Sequence, residues 1–237
     1  MVEIKTIYKK FGKLEVLKGL DLSINKGGIF VILGPNGSGK TTLIKCILGM
    51  VLPDKGDILI NNKSILKEWH YRSKLNYMPQ IANFPKNITV NELINMIKDI
   101  RSQPSCEANL IKLFELTPYL NKKLGTLSGG TKQKVNIVLS FMFNSDLIIL
   151  DEPTTGLDPI SLLSFKKLLF SEKENGKTIL LTTHIMSLVE EIADEIVFLL
   201  DGKIYFKGTV TQLKEITFQD NLEQAIASIL RKENINN

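Results

Sequence analysis

Residues 34–42 read Gly-Pro-Asn-Gly-Ser-Gly-Lys-Thr-Thr, a set of residue types whose spacing could bind phosphate. The run satisfies the pattern G-x-x-x-x-G-K-[ST] and lies between a continuous apolar run at 29–33 and a segment with apolar residues at helical spacing. Glycines allow the backbone to curl so that successive N–H groups point at one phosphate, and the positive end of the following helix adds attraction. The sequence therefore predicts a phosphate-binding loop between a buried strand and a helix.

Two side chains of this loop have chemistry of their own. Lys40 would bring a mobile positive charge to the β- and γ-phosphates, and Thr41 is placed to give its hydroxyl oxygen to Mg²⁺. A dinucleotide-binding fold is a poorer fit, because the glycine spacing differs from G-x-G-x-x-G and Lys40 would have no role. We therefore expect a nucleoside triphosphate and Mg²⁺ at this loop. The predicted binding residues are Gly34, Pro35, Asn36, Gly37, Ser38, Gly39, Lys40, Thr41 and Thr42.

Two acids, Asp151 and Glu152, follow a second apolar run at 147–150. Asp151, at the carboxyl end of a strand, can reach the Mg²⁺ shell, whereas Glu152 can polarise the water that attacks the γ-phosphate. A general base of this kind contributes roughly 10²- to 10⁴-fold to the rate. The alternative is a solvated acidic turn before Pro153, which the presence of the phosphate loop makes the weaker interpretation.

Residues 127–134 read Leu-Ser-Gly-Gly-Thr-Lys-Gln-Lys and lead directly into a predicted helix, so they form a second helix start that could bind an anion. One nucleotide cannot use two such starts at the same end of one sheet. A phosphate held by both therefore indicates two chains that face each other. Taken alone, Ser-Gly-Gly is more often an ordinary loop and helix cap.

Regular elements must position these groups, and the apolar pattern predicts them. Alternating residues at 2–8 and 20–24 indicate half-exposed strands, and Thr89 with Glu92 forms a plausible capping box. From residue 128 helices alternate with apolar strands, which predicts a mostly parallel sheet with helices on both faces. Asp201-Gly202 predicts a hairpin.

The other predicted strands cover residues 29–33, 58–60, 75–78, 147–150, 178–181, 196–200 and 204–206. The first predicted helix starts near Lys40, and the other predicted helices cover 88–100, 107–116, 128–143, 160–174, 187–193 and 210–232.

Length and composition limit the domain architecture and the kinds of partner that this chain can have. The 237 residues suffice for one large domain with a smaller subdomain and are too few for two motor domains. The net charge of +5 is modest and the basic residues are scattered, so nucleic acid is not indicated as a direct partner. Cys46 and Cys106 lack metal-ligand spacing and are expected to be small buried side chains in a reducing compartment.

Membrane insertion of this chain is not expected. Residues 1–10 lack the apolar core of a signal peptide, and the longest apolar stretches fall far short of the roughly 18 residues of a spanning helix. If the protein works at a membrane, another chain must supply the membrane part.

Across nearly its whole length the chain resembles the nucleotide-binding subunit of an ATP-binding cassette (ABC) transporter. The resemblance is carried by the phosphate loop, by the LSGG signature and by the predicted strand that ends in two acids. It is also carried by Gln80 in Tyr-Met-Pro-Gln, Asp158 in Gly-Leu-Asp and His184 in Thr-Thr-His. It implies an α/β P-loop NTPase of ABC type, in which a mostly parallel sheet is joined by an antiparallel β subdomain and an inserted α-helical subdomain.

By this resemblance the chain is a single ABC ATPase domain. Residues 1–83 and 125–209 would form the nucleotide-binding core, residues 84–124 the helical subdomain and residues 210–237 a short helical tail.

The resemblance also implies roles for individual residues. Phe11 would stack on adenine, Gln80 would contact the metal or the water, and His184 would hydrogen-bond the γ-phosphate. The γ-phosphate held by the opposite subunit would be bound by Ser128, Gly129 and Gly130. The implied catalytic residues are Glu152, His184 and Gln80, and the implied metal ligands are Thr41, Gln80 and Asp151.

The implied function is hydrolysis of ATP with Mg²⁺ to energise a transporter. The implied partners are a second cassette, expected to be identical, and separate transmembrane permease subunits, which place the chain peripherally on the cytoplasmic face of the cell membrane. The alternative is a non-transport ABC ATPase acting on ribosomes or DNA. Repair relatives carry a long coiled coil and translation relatives usually fuse two cassettes, features that this sequence lacks. A P-loop kinase would leave the signature and Gln80 unexplained.

The signature motif departs from the family pattern at two residues. Thr131 and Lys134 stand where the signature usually has Gln and Arg. Since Lys lacks the planar guanidinium group of Arg, we expect altered helix packing or an altered rate of hydrolysis, with activity retained.

Residues 77–90 are similar to the ATPase of the copper-linked transporter of nitrous-oxide-reductase maturation. No residue is a candidate copper ligand.

Overall fold

The computed structural model describes residues 1–66 and 68–236, with side chains described up to residue 231. The chain divides into two compact units, Met1–Trp69 with Leu180–Asn237 (unit 1) and His70–Ile179 (unit 2). This division differs from the predicted boundaries of a helical subdomain at 84–124, which stay a prediction. The final residue of the predicted tail, Asn237, lies outside the described residues.

The strands are β1 (Val2–Phe11), β2 (Leu14–Ile24), β3 (Gly28–Leu33), β4 (Lys55–Ile60), β5 (Lys63–Ser64), β6 (Leu75–Met78), β7 (Leu147–Asp151), β8 (Thr178–Thr182), β9 (Glu195–Leu200) and β10 (Lys203–Gly208). The α-helices are α1 (Lys40–Ile47), α2 (Val90–Arg101), α3 (Glu107–Leu113), α4 (Gly129–Phe141), α5 (Pro159–Glu174), α6 (Met186–Ile192), α7 (Val210–Thr217) and α8 (Leu222–Asn236). Short 3₁₀ helices cover His70–Lys74, Thr117–Tyr119 and Leu124–Thr126.

Unit 1 contains an antiparallel sheet in the order β2-β1-β4-β5, of which the short strand β5 was not predicted. The predicted alternation along β1 holds only to Ile4. Thr6 adopts a left-handed conformation with φ 48°, and a register shift in the pairing with β2 follows Ile4, so Ile7 is the next buried residue. Asp21 Oδ1 holds this bulge by accepting hydrogen bonds from Thr6 N (2.8 Å) and Oγ1 (3.0 Å). A β-bulge of this kind reverses the face on which later side chains lie.

Unit 1 also contains the parallel pair β3 and β9, and β9 continues into the antiparallel strand β10 through the predicted turn at Asp201-Gly202. All six residues of β3 are buried, as expected of a strand inside a parallel sheet. The loop and helix that follow β3 confirm the predicted order of strand, loop and helix. The weakly predicted tail consists of α7, which begins with a capping box formed by Thr209 and Gln212, and α8.

Unit 2 pairs β6 with β7 in parallel, and α4 packs on β6. The predicted capping box of α2 is confirmed, because Glu92 N donates to Thr89 Oγ1 and Thr89 N donates to the Glu92 carboxylate. Helix α3 ends at Leu113, short of the predicted end at 116, and a 3₁₀ turn accommodates Pro118. Strand β8 runs across the boundary between the two units.

The two cysteines differ in environment. Cys46 is buried in α1, as predicted, and burial raises the pKa of its thiol to about 11, so the thiol stays protonated. The prediction that Cys106 is buried was wrong. Cys106 lies at the start of α3, where its side chain is exposed, because the helix begins only at Glu107.

In the part of the chain that the structure describes, every helix is either too short or too polar to cross a membrane.

Asn76 on β6 connects three elements of unit 2. Its side chain is 2% exposed, its Nδ2 donates to Phe143 O at 2.9 Å, and its Oδ1 accepts from Arg101 Nη1 at 2.9 Å. A leucine at this position could make neither bond, and the buried carbonyl and guanidinium would lose their partner.

We predict that Asn76→Leu lowers the free energy of unfolding by about 2 to 4 kcal/mol, since it leaves two polar groups unsatisfied. Equilibrium unfolding in urea measures this loss. Asn109→Leu, on the exposed surface of α3, is the matched control and should change the value by less than about 0.5 kcal/mol. Equal losses for the two variants would contradict the role given to Asn76.

Candidate functional site

The loop between β3 and α1 has the backbone that a phosphate cradle requires. Gly34, Gly37 and Gly39 have φ of 152°, 82° and 107°, values that residues with a side chain rarely adopt. At Gly34 a Cβ would lie 2.1 Å from Leu199 O, and at Gly39 it would lie 3.0 Å from Val16 O. Gly34 is therefore required by close backbone packing as well as by conformation, and Gly39 is also closely packed.

This packing ties the loop to the turn between β9 and β10. Gly202 N donates to Ser38 O at 3.1 Å, and Gly202 O accepts from Lys18 N at 3.0 Å. A Cβ on Gly202 would lie 2.4 Å from Val16 O, so this turn also needs glycine. The phosphate loop is thus held by backbone contacts with β2 and with the end of β9.

The polar groups of the loop fit a phosphate ligand. Lys40 Nζ donates to Gly34 O at 2.7 Å and to Pro35 O at 3.0 Å, which keeps its ammonium group over the mouth of the loop. Ser38 is 2% exposed, and its Oγ has no hydrogen-bond partner among the described residues. A buried hydroxyl without a partner is costly, and a phosphate oxygen in the loop would satisfy it.

The remaining loop residues face solvent or the start of α1. Asn36 and Thr41 are exposed, and Thr42 is half-buried. Thr41 is the second residue of α1, a helix without acids in its first turn, so the N–H groups around it favour an anion such as a phosphate. Its hydroxyl oxygen could then bind a cation that accompanies the phosphate. This donor set suits Mg²⁺ held jointly with a triphosphate.

The other two site residues of unit 1 are accessible. Phe11 ends β1 with half of its side chain exposed (50%), and Lys9 Nζ lies 5.4 Å from its ring centroid. An exposed aromatic face of this kind can stack on a base. His184 is exposed in the segment after β8, where Ile185 N donates to Thr183 Oγ1 at 3.2 Å.

In unit 2 the two predicted acids are buried, with Asp151 as the last residue of β7 and Glu152 directly after it. Asp151 is 3% exposed and Glu152 is 8% exposed, so neither belongs to a solvated acidic turn. Glu152 has a φ of 49°, in the left-handed region that non-glycine residues seldom occupy. Burial, with a smaller contribution from the Asp151 charge, raises the pKa of Tyr77 on the neighbouring strand β6.

Gln80 is exposed just after β6. The backbone before it is fixed by α4, because Asn136 Nδ2 donates to Pro79 O at 3.0 Å. The backbone directly before Gln80 is therefore fixed by a contact with α4.

The signature residues 128–130 begin α4 as predicted. Ser128 Oγ accepts from Thr131 N at 3.2 Å and lies 2.9 Å from Thr131 Oγ1, so the unusual threonine takes part in the cap. Apart from its chain neighbours and the backbone of α4 itself, no described residue has a heavy atom within 4 Å of a Cβ built on Gly129, which leaves this helix start open. At Gly130 a Cβ would lie 2.7 Å from Gly156 O.

Sequence reasoning missed the contacts that join α4 to the segment after the acids. Gln133 is 7% exposed and its Nε2 donates to Pro153 O at 2.8 Å. Lys134 Nζ lies 3.0 Å from Asp158 Oδ2. The only sequence signal for these contacts was that Gln133 and Lys134 fall within the signature motif. Together with the Gly130 contact they fix the signature helix to residues 153–158.

Asp158 itself caps α5. Its carboxylate accepts from Ser161 N and from Ser161 Oγ, each at 2.8 Å. These hydrogen bonds, together with the one from Lys134, hold the pKa of Asp158 well below its usual range. The lysine that replaces the usual arginine of the signature therefore keeps an ion pair, with a single point of contact in place of a planar fork.

Comparison with known proteins gives a consistent picture. The ABC transporter family model matches residues 17–155. The L-cystine import ATP-binding protein TcyN of Bacillus subtilis (strain 168) is 31% identical over 242 residues, which cover 97% of this chain and 93% of that protein. The Nod factor export ATP-binding protein I of Burkholderia orbicola (strain AU 1054) is 33% identical over 222 residues, which cover 90% of this chain and 72% of that protein.

Solved structures match at similar identity. The ATP-binding subunit of an ABC transporter superposes with a TM-score of 0.90 at 28% identity, covering 97% of this chain and 99% of that one. A dimeric, post-hydrolysis ATP-binding cassette bound to ADP and Pi superposes with a TM-score of 0.78 at 27% identity, covering 88% of this chain and 98% of that one.

The loop geometry gives a prediction about its first glycine. Gly34→Ala should lower the free energy of unfolding by about 2 to 4 kcal/mol, because the new methyl group collides with a backbone carbonyl that cannot move alone. Gly37→Ala shares the unfavourable φ, but its Cβ would meet no described heavy atom within 4 Å beyond the adjacent residues, so it should cost only about 1 kcal/mol. Equilibrium unfolding of both variants in denaturant measures the two losses of free energy. A loss at Gly37 as large as at Gly34 would show that conformation alone, and not packing on Leu199, requires glycine.

Proposed function

Because the chain belongs to the ABC transporter family, we propose that it is the subunit that energises a membrane transporter by binding and hydrolysing ATP as one of a pair of cassettes. The chain has the ABC ATPase cassette fold, and ABC cassettes are ATPases. The observation that carries the proposal is the phosphate loop, with three left-handed glycines, a covering lysine and a buried serine hydroxyl that a phosphate would satisfy.

The loop at 34–42 binds the triphosphate of ATP in this proposal. Its backbone N–H groups and Lys40 hold the phosphates, Thr41 holds Mg²⁺, and Phe11 stacks on the adenine. Bound Mg²⁺ supplies electrostatic stabilisation of the charge that develops during phosphoryl transfer. The exposure of Phe11 and of Thr41 supports these roles, since both groups are accessible to a ligand.

Hydrolysis depends on the second set of residues. Asp151 contributes to the metal shell, Glu152 takes up a proton from the attacking water, and Gln80 and His184 contact the water, the metal or the γ-phosphate. The strained backbone at Glu152 supports a functional role, because such conformations persist where the surrounding structure enforces them. The buried position of Glu152 also excludes bulk water, which strengthens its action on the bound water.

A second copy of the chain completes the site. Ser128, Gly129 and Gly130 bind the γ-phosphate held by the partner, an arrangement that the open start of α4 supports. ATP then stabilises the closed pair over the open one, and hydrolysis removes that difference. The dimeric cassette that matches in structure supports pairing in general.

The work of the pair is done on transmembrane permease subunits. The chain is then peripheral at the cytoplasmic face of the cell membrane, and the helical segment 84–124 passes the motion to the permease. The names of the similar proteins, which concern import and export, favour this function over action on ribosomes or nucleic acid. They give no support to the copper-linked subtype, which we do not propose.

The role of Glu152 is tested by Glu152→Gln. This variant should bind ATP with unchanged affinity, hydrolyse it roughly 10²- to 10⁴-fold more slowly and accumulate as an ATP-bound dimer, because binding without hydrolysis cannot release the pair. Phosphate release and analytical ultracentrifugation with ATP and Mg²⁺ measure the two effects.

The matched control is Glu115→Gln, the same exchange at an exposed glutamate that also has a left-handed backbone, with φ of 54°. It should hydrolyse ATP normally. An unchanged rate in Glu152→Gln would remove the assignment of Glu152 as the base.

A further inference from the structure

The Phe11 ring at the end of β1 contacts a charged side chain of its own strand. Lys9 Nζ lies over the ring, 5.4 Å from its centroid. The negative face of an aromatic ring attracts an ammonium group in this position. Half of the Phe11 side chain stays exposed, so the ring retains surface on which a planar ligand can stack.

An ion pair holds Lys9 in this place. Lys9 Nζ donates to Asp54 Oδ1 at 2.9 Å, and the Lys9 side chain is only 15% exposed. A surface lysine ordinarily extends its ammonium group into water, with several rotamers open to it. The hydrogen bonds from Lys9 Nζ and from Lys10 N hold the pKa of the Asp54 carboxyl below its usual value, so the pair is ionised at neutral pH. The ammonium group is therefore fixed beside the ring.

Backbone contacts fix Asp54 in turn. Its Oδ2 accepts from Lys10 N and its own N–H donates to Tyr8 O, each at 2.8 Å. Asp54 ends the segment between α1 and β4, and the N–H groups of residues 50 and 51 in this segment donate to Lys45 O of α1. The ion pair thus joins the end of β1 to the segment that leaves α1, the helix that begins at the phosphate loop.

We propose that Asp54 and Lys9 are positioning residues for the nucleobase. Asp54 holds Lys9 over one side of the Phe11 ring, and the base of the nucleotide stacks on the surface of the ring that stays free. This inference rests on the proposed stacking of the base on Phe11 and adds the groups that keep the ring in place. A ring that is already ordered loses less conformational entropy when the base binds. The contribution therefore concerns the base, whereas the phosphates depend on the loop at 34–42.

Two ligands separate the base from the phosphates. ADP carries the base and two phosphates, pyrophosphate carries two phosphates alone, and both are measured with Mg²⁺ by isothermal titration calorimetry. Lys9→Met removes the ammonium group and keeps a long side chain. We expect the Kd for ADP to rise about threefold to tenfold, because the ring loses its cation and its fixed orientation. The loss of one positive charge acts at long range on both ligands, so the ratio of the two Kd values isolates the effect on the base.

Three further variants test how the pair acts. Asp54→Asn should weaken ADP relative to pyrophosphate in the same direction, because Lys9 is then no longer held by a carboxylate. Lys9→Arg keeps a cation that can pair with Asp54 and should retain most of the affinity for ADP. Lys5→Met is the matched control, the same exchange at an exposed lysine of β1 that pairs with Glu3 at 3.4 Å, and should leave the ratio of the two Kd values unchanged.

A double-mutant cycle shows whether Lys9 acts through the ring. In the Phe11→Ala chain, Lys9→Met should cause no further loss of ADP affinity relative to pyrophosphate, since the ring that it positions is gone. A loss as large as in the unaltered chain would overturn the inference. Binding of pyrophosphate reports whether each variant keeps a folded phosphate loop.

The remaining outcomes separate this inference from the proposed function. An unchanged ratio in both Lys9→Met and Asp54→Asn, with a clear loss in Phe11→Ala, would overturn the role of the pair and leave Phe11 as the base site. Equal affinity of Phe11→Ala and of the unaltered chain for ADP would overturn the stacking on Phe11, and the inference with it.

Discussion

The close packing of Gly34 against the carbonyl of Leu199 is the constraint on which the loop between β3 and α1 depends. It brings the end of β3 so near to the end of β9 that no side chain fits between them. The hydrogen bond from Gly202 to Ser38 extends the same contact into the following turn. The loop is therefore shaped by backbone packing before any ligand arrives, and such preorganisation lowers the cost of binding a phosphate.

In unit 2 as well, contacts between segments fix a predicted binding element. The signature helix α4 is fixed to residues 153–158 by Gly130, Gln133 and Lys134, and this segment begins directly after the buried acids. In the proposed pair, α4 would meet the nucleotide of the partner while Glu152 acts on the nucleotide of its own chain. The contacts of α4 would then connect one site to the other. Because Lys134 makes a single-point ion pair, this connection is looser than an arginine fork would make it.

Much of the fold and of the candidate site could be predicted from the sequence, because motifs and apolar periodicity depend on local residues. The phosphate loop, the two buried acids at the carboxyl end of β7 and the capping box of α2 appear where the patterns place them. The predicted α/β fold of ABC type is confirmed by the solved structures that match. The roles of individual residues at the site stay predictions.

The features that sequence reasoning missed depend on contacts between distant segments. The bulge at Thr6 is held by Asp21 from the neighbouring strand, so alternation within β1 alone could not reveal it. The exposure of Cys106 follows from the late start of α3. The hydrogen bonds from Gln133 to Pro153 and from Asn76 to Phe143 likewise join residues that are far apart in the sequence.

The most direct test of the shared site mixes two inactive variants. Lys40→Ala destroys phosphate binding in its own chain, and Gly129→Asp places a negative charge where the γ-phosphate of the partner would lie. Each variant alone should be unable to hydrolyse ATP. If the site is built from two chains, the mixture forms pairs in which one site joins an intact Lys40 to an intact signature, and hydrolysis partly returns. A mixture that hydrolyses no more ATP than the sum of the separate variants would contradict the account.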